Sequence, residues 1–523
     1  MSNDITRVAE ESARGGFYLT IGKISSTIIS ALSVIIIARI LGSELYGLYT
    51  VSTVFPQLLL LLINPGIDQG IMKYAASLRV KGEEKRISKL VIHGLLVKIA
   101  LGTLATIICF TLSDLFAKNM LRRPEITFYI QIASLTILLQ AIFATINSSF
   151  IGTDKTEYNT ISTNIQALTK AAISTSLVIL GLGITGALTG YILSLLAACL
   201  FGIFTFLYKI HRPLNRNGDC KDSVLQSLRL LVKYGFPLYL SALIFGLISQ
   251  YQNILLAIFA SNEDIGNFRA AINFTTLIST FSAPIATTLL PAFSKLEIKM
   301  EDAKRFFHLS LKYTSIIILP IVTFISLYSK EITSLIYGET YTNAPYFLSL
   351  ITIRYYLIGL GSLVFPSFFQ GLGETKISLK IAIVYSTIFA ASAPLLTWQL
   401  GTSGLIMVIL ISSLVSTIYR LRIAKSKFNI RIPIGSISRI YLSSLIPSIP
   451  IFVLKSLLPL SGLINVLLGG FTYLAIFAIL IPLTKAITLD ELNQVKRAFY
   501  KTRSLKILTK PIFYCEEKIL SYI

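Results

Sequence analysis

The stretch G-F-Y-L-T-I-G-K-I-S-S-T-I-I-S-A-L-S-V-I-I-I-A-R-I-L-G-S-E-L-Y-G-L-Y-T-V-S-T-V-F-P-Q-L-L-L-L-L-I-N (16–64) decides the fold. It contains two long apolar runs separated only by Gly42-Ser43-Glu44. A helix rising 1.5 Å per residue needs about 20 apolar residues to cross a hydrocarbon core of about 30 Å. Lipid offers no partner to a backbone N–H or C=O, so each run must satisfy its own backbone as a helix. The runs are too long and too continuous for barrel strands.

The same pattern continues through the chain. Fourteen spans are expected, at about 16–40, 46–75, 89–113, 126–151, 159–181, 184–208, 230–260, 265–294, 306–328, 344–370, 377–399, 402–424, 437–458 and 461–484. Of 523 residues, 54% are hydrophobic and 14% charged, against about 25% charged in soluble domains. No polar stretch reaches domain length. The first run is too long for a cleaved signal peptide and reads as a retained span. The fold class is therefore all-α integral membrane.

The net charge of +22 would suggest nucleic acid in a soluble protein. Here Lys and Arg sit in short loops and in the tail, so they report topology and contact with anionic lipid, and nucleic acid is not an expected partner. One set of loops is basic: 79–86, 209–221, 295–305 and 425–431. The alternate set, 42–44, 182–184, 261–264 and 401–403, has almost no Lys or Arg. Lys118, Arg122 and Arg123 are the main exception. Positive loops stay inside, which places both termini in the cytoplasm and the protein in the plasma membrane. The tail 485–523 is basic and amphipathic, suited to the anionic inner leaflet.

Cys109, Cys199, Cys220 and Cys515 form no CxxC pair, and His93, His211 and His308 lack metal-ligand spacing. No metal or cofactor is expected. The external loops are short and acid-poor, which disfavours a membrane glycosyltransferase or polymerase, so no enzyme activity is expected.

The first six spans resemble the next six. Gly16-Phe17, Ala38, Glu44, Gly47, Phe55, Lys85-Arg86, Phe150 and Gly152 recur 219 residues later as Gly235-Phe236, Ala257, Glu263, Gly266, Phe274, Lys304-Arg305, Phe369 and Gly371. After a one-residue slip, Gly183, Gly186 and Ser194 match Gly401, Gly404 and Ser412. Six is even, so both copies start from the same face and are related by a pseudo-two-fold axis along the membrane normal. The expected organisation is a six-helix lobe over 1–215, a second over 222–430, two further helices over 437–484 and the tail 485–523. Two facing bundles enclose a cavity that rocking exposes to each side in turn.

Ionisable side chains within spans are costly and mark function. Lys23, Lys73, Lys170, Arg269 and Arg354 are the candidate cavity cations. Lys98 is a further intramembrane charge, and it and Lys23 can instead reach the inner headgroups along their stems, as Arg39 and Arg269 can the outer ones. Asp68 is the one acid well inside a span, a candidate coupling residue five positions from Lys73. Gln250, Asn253 and Asn273 are candidate polar contacts. Several cations and one acid favour an anion, and fixed Lys and Arg suit phosphate or pyrophosphate oxygens.

A-R-I-L-G-S-E-L-Y-G-L-Y (38–49) and G-I-D-Q-G-I-M-K-Y (66–74), with Phe150-Ile151-Gly152 and Phe369-Gln370-Gly371, resemble the polysaccharide flippases of the multidrug/oligosaccharidyl-lipid/polysaccharide exporter superfamily. The resemblance covers nearly the whole chain. It implies translocation of a polyprenyl-(pyro)phosphate-linked saccharide to the outer leaflet by alternating access, with a cationic cavity that includes Lys23, Lys73, Arg269 and Arg354. Coupling to H+ or Na+ and a monomeric state are further expectations. The alternative is a cation-coupled multidrug exporter of the same superfamily. Drug exporters commonly carry an acid in the first helix, and this first span has none.

Overall fold

The computed structural model describes residues 2–214, 223–295, 300–457, 462–489, 491–493, 496 and 517. The described residues are overwhelmingly helical and contain no strand. Among the described residues nine helices are long and apolar enough to cross a membrane, ten if the bent pair Ala344–Leu360 and Val364–Gly371 counts as one. The chain is a multi-pass helical membrane protein.

Three of these helical segments are far longer than a bilayer requires. Gly22–Leu62 has 41 residues, Thr156–His211 has 56 and Thr375–Phe428 has 54, and about 54 residues of straight helix would reach roughly 80 Å. Each is broken where the sequence places an external loop. Gly42 (φ 73°), Gly181 (φ 88°), Gly183 (φ 52°) and Gly401 (φ 56°) all leave the helical region. The loops are so short that consecutive helices meet at a kink.

The chain forms two compact units, Met1–Gly266 and Asn267–Ile523. In the first unit the helices are α1 (Ser2–Ser52), α2 (Val54–Leu62), α3 (Ile67–Val80), α4 (Glu84–Leu115), α5 (Thr127–Gly152), α6 (Thr156–Thr169), α7 (Gly183–Phe206) and α8 (Val224–Phe259). The second unit holds most of α9 (Asn262–Lys295). It also holds α10 (Met300–Leu327), α11 (Ser329–Tyr337), α12 (Ala344–Tyr356), α13 (Val364–Gly371), α14 (Thr375–Phe428), α15 (Ile434–Leu445), α16 (Ser448–Leu457) and α17 (Gly462–Leu483).

The packing boundary falls later than the lobe boundary expected from the sequence repeat, because α8 packs on α2 and α3. Gly66 and Gly235 touch backbone to backbone, and a Cβ on either would overlap the other. Small residues allow helices this close an approach. Arg123 also donates from Nε to the Ala257 carbonyl at 2.9 Å and from Nη2 to the Ala260 carbonyl, capping the end of α8.

Repeat-related positions take the same local roles. Phe150 and Phe369 are both fully buried. Gly152 lies against Met72 and Ala75, and Gly371 lies against Leu290, Phe293 and Ser294. Ser294 is the counterpart of Ala75 at the 219-residue offset. Ser43 and Gly47 likewise correspond to Asn262 and Gly266. Gly47 rests on the Asn262 carbonyl and Gly266 on the Ser43 carbonyl.

Within the second unit, two ion pairs hold the C-terminal helices. Lys455 on α16 meets Glu331 on α11 at 2.7 Å and donates to the Leu327 carbonyl at 3.0 Å. Lys312 on α10 meets Glu491, beyond α17, at 2.6 Å. Burial disfavours the Glu491 charge, but hydrogen bonds from Lys312 and from the Thr488 backbone outweigh it and hold the carboxyl below the usual glutamate range. The basic segment expected over 485–523 lies almost wholly outside the described residues, as do Cys220 and Cys515.

Candidate functional site

Each unit contains a polar cavity beside a broken helix. In the first unit the break is Ile63–Gly66, between α2 and α3, where Gly66 has φ 87°. A cavity of about 290 Å³ opens there, lined by Asn64, Asp68, Lys98, Gln140, Gln166 and Tyr191 among apolar neighbours. Asp68 sits in the first turn of α3, where the helix dipole favours an anion. Lys98 Nζ lies 3.2 Å from Asp68 Oδ2, and both side chains are at least 93% buried. Thr145 donates to Asp68 Oδ1 at 2.8 Å. Both carboxylate oxygens are therefore engaged.

This geometry decides the place of Lys98 and gives Asp68 its partner. Lys98 does not reach for headgroups; it is 1% exposed and turned inward. Asp68 pairs with Lys98 on α4 rather than with Lys73. Five residues along a helix do not share a face, whereas α3 and α4 pack side by side.

Lys170 approaches the same region. Its Nζ lies 4.5 Å from the Tyr191 ring centroid, within cation–π range, and Tyr191 lines the cavity. Lys73 is placed elsewhere on α3, with its Nζ 3.7 Å from the Tyr234 ring and 5.4 Å from Tyr74. Lys23 is exposed on α1. Beside it, Ser25 donates to Asn164 Oδ1 at 2.7 Å, joining α1 to α6. Gln250 donates to Gln57 Oε1 at 3.3 Å and accepts from Asn253 at 3.1 Å.

In the second unit the break follows α12. Residues Leu357–Leu360 form a 3-10 turn, Gly361 has φ 86°, and the chain bends by 45° into α13. A cavity of about 380 Å³ opens there, lined by Ser279, Ser282, Arg354, Tyr355, Ser362, Tyr385, Ser413, Ser416, Thr417 and Arg420 with three apolar residues. No Asp or Glu lines it. Arg354 is exposed, and Arg420 donates to the Ser362 carbonyl at 3.4 Å, at the helix break. Asn273 donates to Tyr337 Oη at 3.2 Å, and Arg269 is half-buried on α9.

Of the sequence candidates, Asp68 and Lys170 thus approach one cavity and Arg354 enters another. The readings missed Gln140, Gln166, Tyr191 and Arg420. Arg420 had a legible signal: Ser413, Ser416, Thr417 and Arg420 lie at i, i+3, i+4 and i+7, one polar face of an otherwise apolar helix. Among the described residues no group of three His, Cys, Asp or Glu could hold a metal ion.

The chain matches the family described as polysaccharide biosynthesis protein over residues 12–297. It is 24% identical over 401 residues to the lipopolysaccharide biosynthesis protein WzxC of Escherichia coli K12, covering 73% of this chain and 74% of that protein. It is 23% identical over 219 residues to the probable low-salt glycan biosynthesis flippase Agl15 of Haloferax volcanii, covering 42% of this chain and 46% of the relative. The chain thus spans about half of the archaeal relative. Among solved structures, the lipid II flippase MurJ superposes with a TM-score of 0.69 at 17% identity, over 88% of this chain and 98% of MurJ. An inward-facing multidrug resistance transporter of the MATE family superposes with a TM-score of 0.63 at 18% identity, over 77% of this chain and 94% of its own. At these identities the two superpositions establish the fold.

Proposed function

Since the chain belongs to the polysaccharide biosynthesis protein family, we propose that it is a flippase carrying a polyprenyl-(pyro)phosphate-linked saccharide from the inner to the outer leaflet by alternating access. The names of its relatives support this reading. The observation that carries it is the sign of the two cavities. Among the described residues the single acid lining either one, Asp68, is already neutralised by Lys98, while no acid lines the cavity of Arg354 and Arg420. Such walls attract phosphate and repel organic cations.

Fourteen passes, two six-helix lobes over 1–215 and 222–430 and cytoplasmic termini complete the reading. The nine apolar segments, three of them broken at glycine, are consistent with that count. The phosphates meet the cations, with Arg354 foremost and Lys170, Lys73, Lys23 and Arg269 as further contributors. The polyprenyl chain stays in lipid, and no covalent bond changes. A cation-coupled multidrug exporter would use Asp68 for H+ or Na+. That role requires Lys98 to leave the carboxylate, which makes this rival the weaker reading.

Reconstitution tests the proposal. Proteoliposomes holding a lipid-linked saccharide in one leaflet are expected to expose it on the other in a protein-dependent manner. Export of cationic dyes without movement of the glycolipid would sink the reading.

A further inference from the structure

Lys118, Arg122 and Arg123 break the charge pattern of the loops, because they stand on the expected outer face, where Lys and Arg are otherwise almost absent. Two of the three stay at the surface. Lys118 pairs with Asp114 at 2.9 Å, and Arg122 is exposed. Arg123 is half-buried, and its guanidinium reaches α8.

A helix leaves its last carbonyls without partners of their own. The helix α8 ends at Phe259, and Ala260 continues in extended conformation (φ −110°, ψ 155°). Arg123 donates from Nε to the Ala257 carbonyl and from Nη2 to the Ala260 carbonyl, and both alanines are buried. A cation there also meets the negative end of the helix dipole. The opposite end of α8 caps itself. Ser223 and Gln226 form a capping box, with bonds of 3.2 and 3.3 Å. The repeat sharpens the contrast. At the 219-residue offset Ser261 aligns with Gly42, and Arg123 with Thr342. The chain of α1 turns at Gly42 itself, with φ 73°. Ser261 stands in that place after α8, and the helix end is capped by a side chain from another part of the unit.

We propose that Arg123 is a positioning residue, the outer latch of the transport cycle. Closed, it seats the turn after α8, so that the Asn262 carbonyl rests on Gly47 and the Ser43 carbonyl on Gly266. The helix α8 then lies on α2 beside the first cavity. Gly246 lies on Leu61, and Tyr239 donates to the Leu62 carbonyl at 3.4 Å, next to the cavity-lining Leu60 and Asn64. On release the guanidinium and both carbonyls meet water, which satisfies them, and the outer end of α8 parts so that the cavity opens outward. Charge-assisted bonds of this kind are strong when dry and are exchanged for water when wet. The latch rests on the alternating-access reading for its purpose.

Cysteine labelling tests it. The four native cysteines are replaced in the full chain. Ala257→Cys then reports from under the latch and Gln166→Cys from the cavity wall. Intact cells are treated with a membrane-impermeant maleimide, and inside-out vesicles present the opposite face. With Arg123 in place both cysteines are expected to react slowly from outside. Arg123→Gln should raise both outside rates about tenfold or more, because two charge-assisted hydrogen bonds are lost. Arg123→Lys keeps the charge and should fall between, and Arg122→Gln should change neither rate. A faster rate at Ala257→Cys alone means a frayed helix end and overturns the latch, as does an unchanged rate at Gln166→Cys. If Arg123→Gln labels equally from both faces, the helix end has unfolded and Arg123→Lys decides in its place. An outside-only rise at Gln166→Cys then supports the latch, and none overturns it. The two readings also fail separately. Arg123-dependent opening without glycolipid movement removes the function and keeps the latch. Glycolipid movement with labelling indifferent to Arg123 does the reverse.

Discussion

The cavities of the two units share an architecture and differ in chemistry. Each opens beside a helix broken at a glycine with φ near 87°, Gly66 in one unit and Gly361 in the other. In the first, Asp68 is matched by Lys98 and Thr145. In the second, Arg354 and Arg420 stand without an acid and Ser413 without an acceptor. The first site pairs its charges internally; the lining of the second does not. Satisfied buried charges stabilise or position a fold, whereas cations left without an acid in a cleft are candidates for holding a ligand.

That contrast can be broken by mutation. The largest effect is expected from Arg354→Gln with Arg420→Gln, since hydrogen bonds to charged groups contribute about 1.5–3 kcal/mol each. Glycolipid movement in proteoliposomes should fall by 100-fold or more, with little change in melting temperature. A double variant that transports normally would falsify a ligand-holding role for that lining.

Asp68→Ala should act the other way round, on stability first. It strands Lys98 in a buried site, which costs about 3–5 kcal/mol. Removing both charges, with Asp68→Leu and Lys98→Met, should recover most of the loss in thermal unfolding. Failure of that rescue would mean that the pair does more than neutralise itself.

A smaller effect is expected at the reciprocal glycine contact. Gly47→Val should cost about 1–3 kcal/mol through overlap with the Asn262 carbonyl. Gly266→Val should match it, through Ser43. Unequal costs in a melting assay would show that the contact is not two-fold in kind.

The smallest effect concerns pH. The Glu491 carboxyl titrates below its unfolded value, so its stabilisation is fully present above the ordinary glutamate range. It is lost as pH falls through the lower folded value. Glu491→Gln should flatten that acid limb of the stability curve, measured by melting temperature against pH, and lower the neutral melting temperature toward the acid value, because the stabilisation it removes is the one present at neutral pH. Persistence of the limb in the variant would assign it to another group.

Part of this was open to reading in the chain itself. Arg354, in mid-span, is recognisable as a candidate functional charge because lipid penalises it wherever it cannot be hydrated, and it lines the second unit's cavity. The Ser413–Arg420 stripe was equally visible by its spacing. Lys98 was not. Its distance from the span end fits snorkelling as well as burial, and only the neighbouring helix decides between them. The duplication offers no help either. At the 219-residue offset Asp68, Lys98 and Arg354 align with Thr287, Ile317 and Leu135, so the repeat pattern does not extend to these charges.

By itself the sequence determined that the chain crosses the membrane repeatedly as helices, because backbone groups in lipid must be satisfied within each segment. It also determined where the helices turn, because glycine and charge mark the ends. Tertiary structure alone decided which charges meet. Asp68 and Lys98 stand 30 positions apart, and Arg354 and Arg420 lie on different helices. Helical periodicity fixes the face a side chain occupies on its own helix, but the partner on the next helix is set by packing between them.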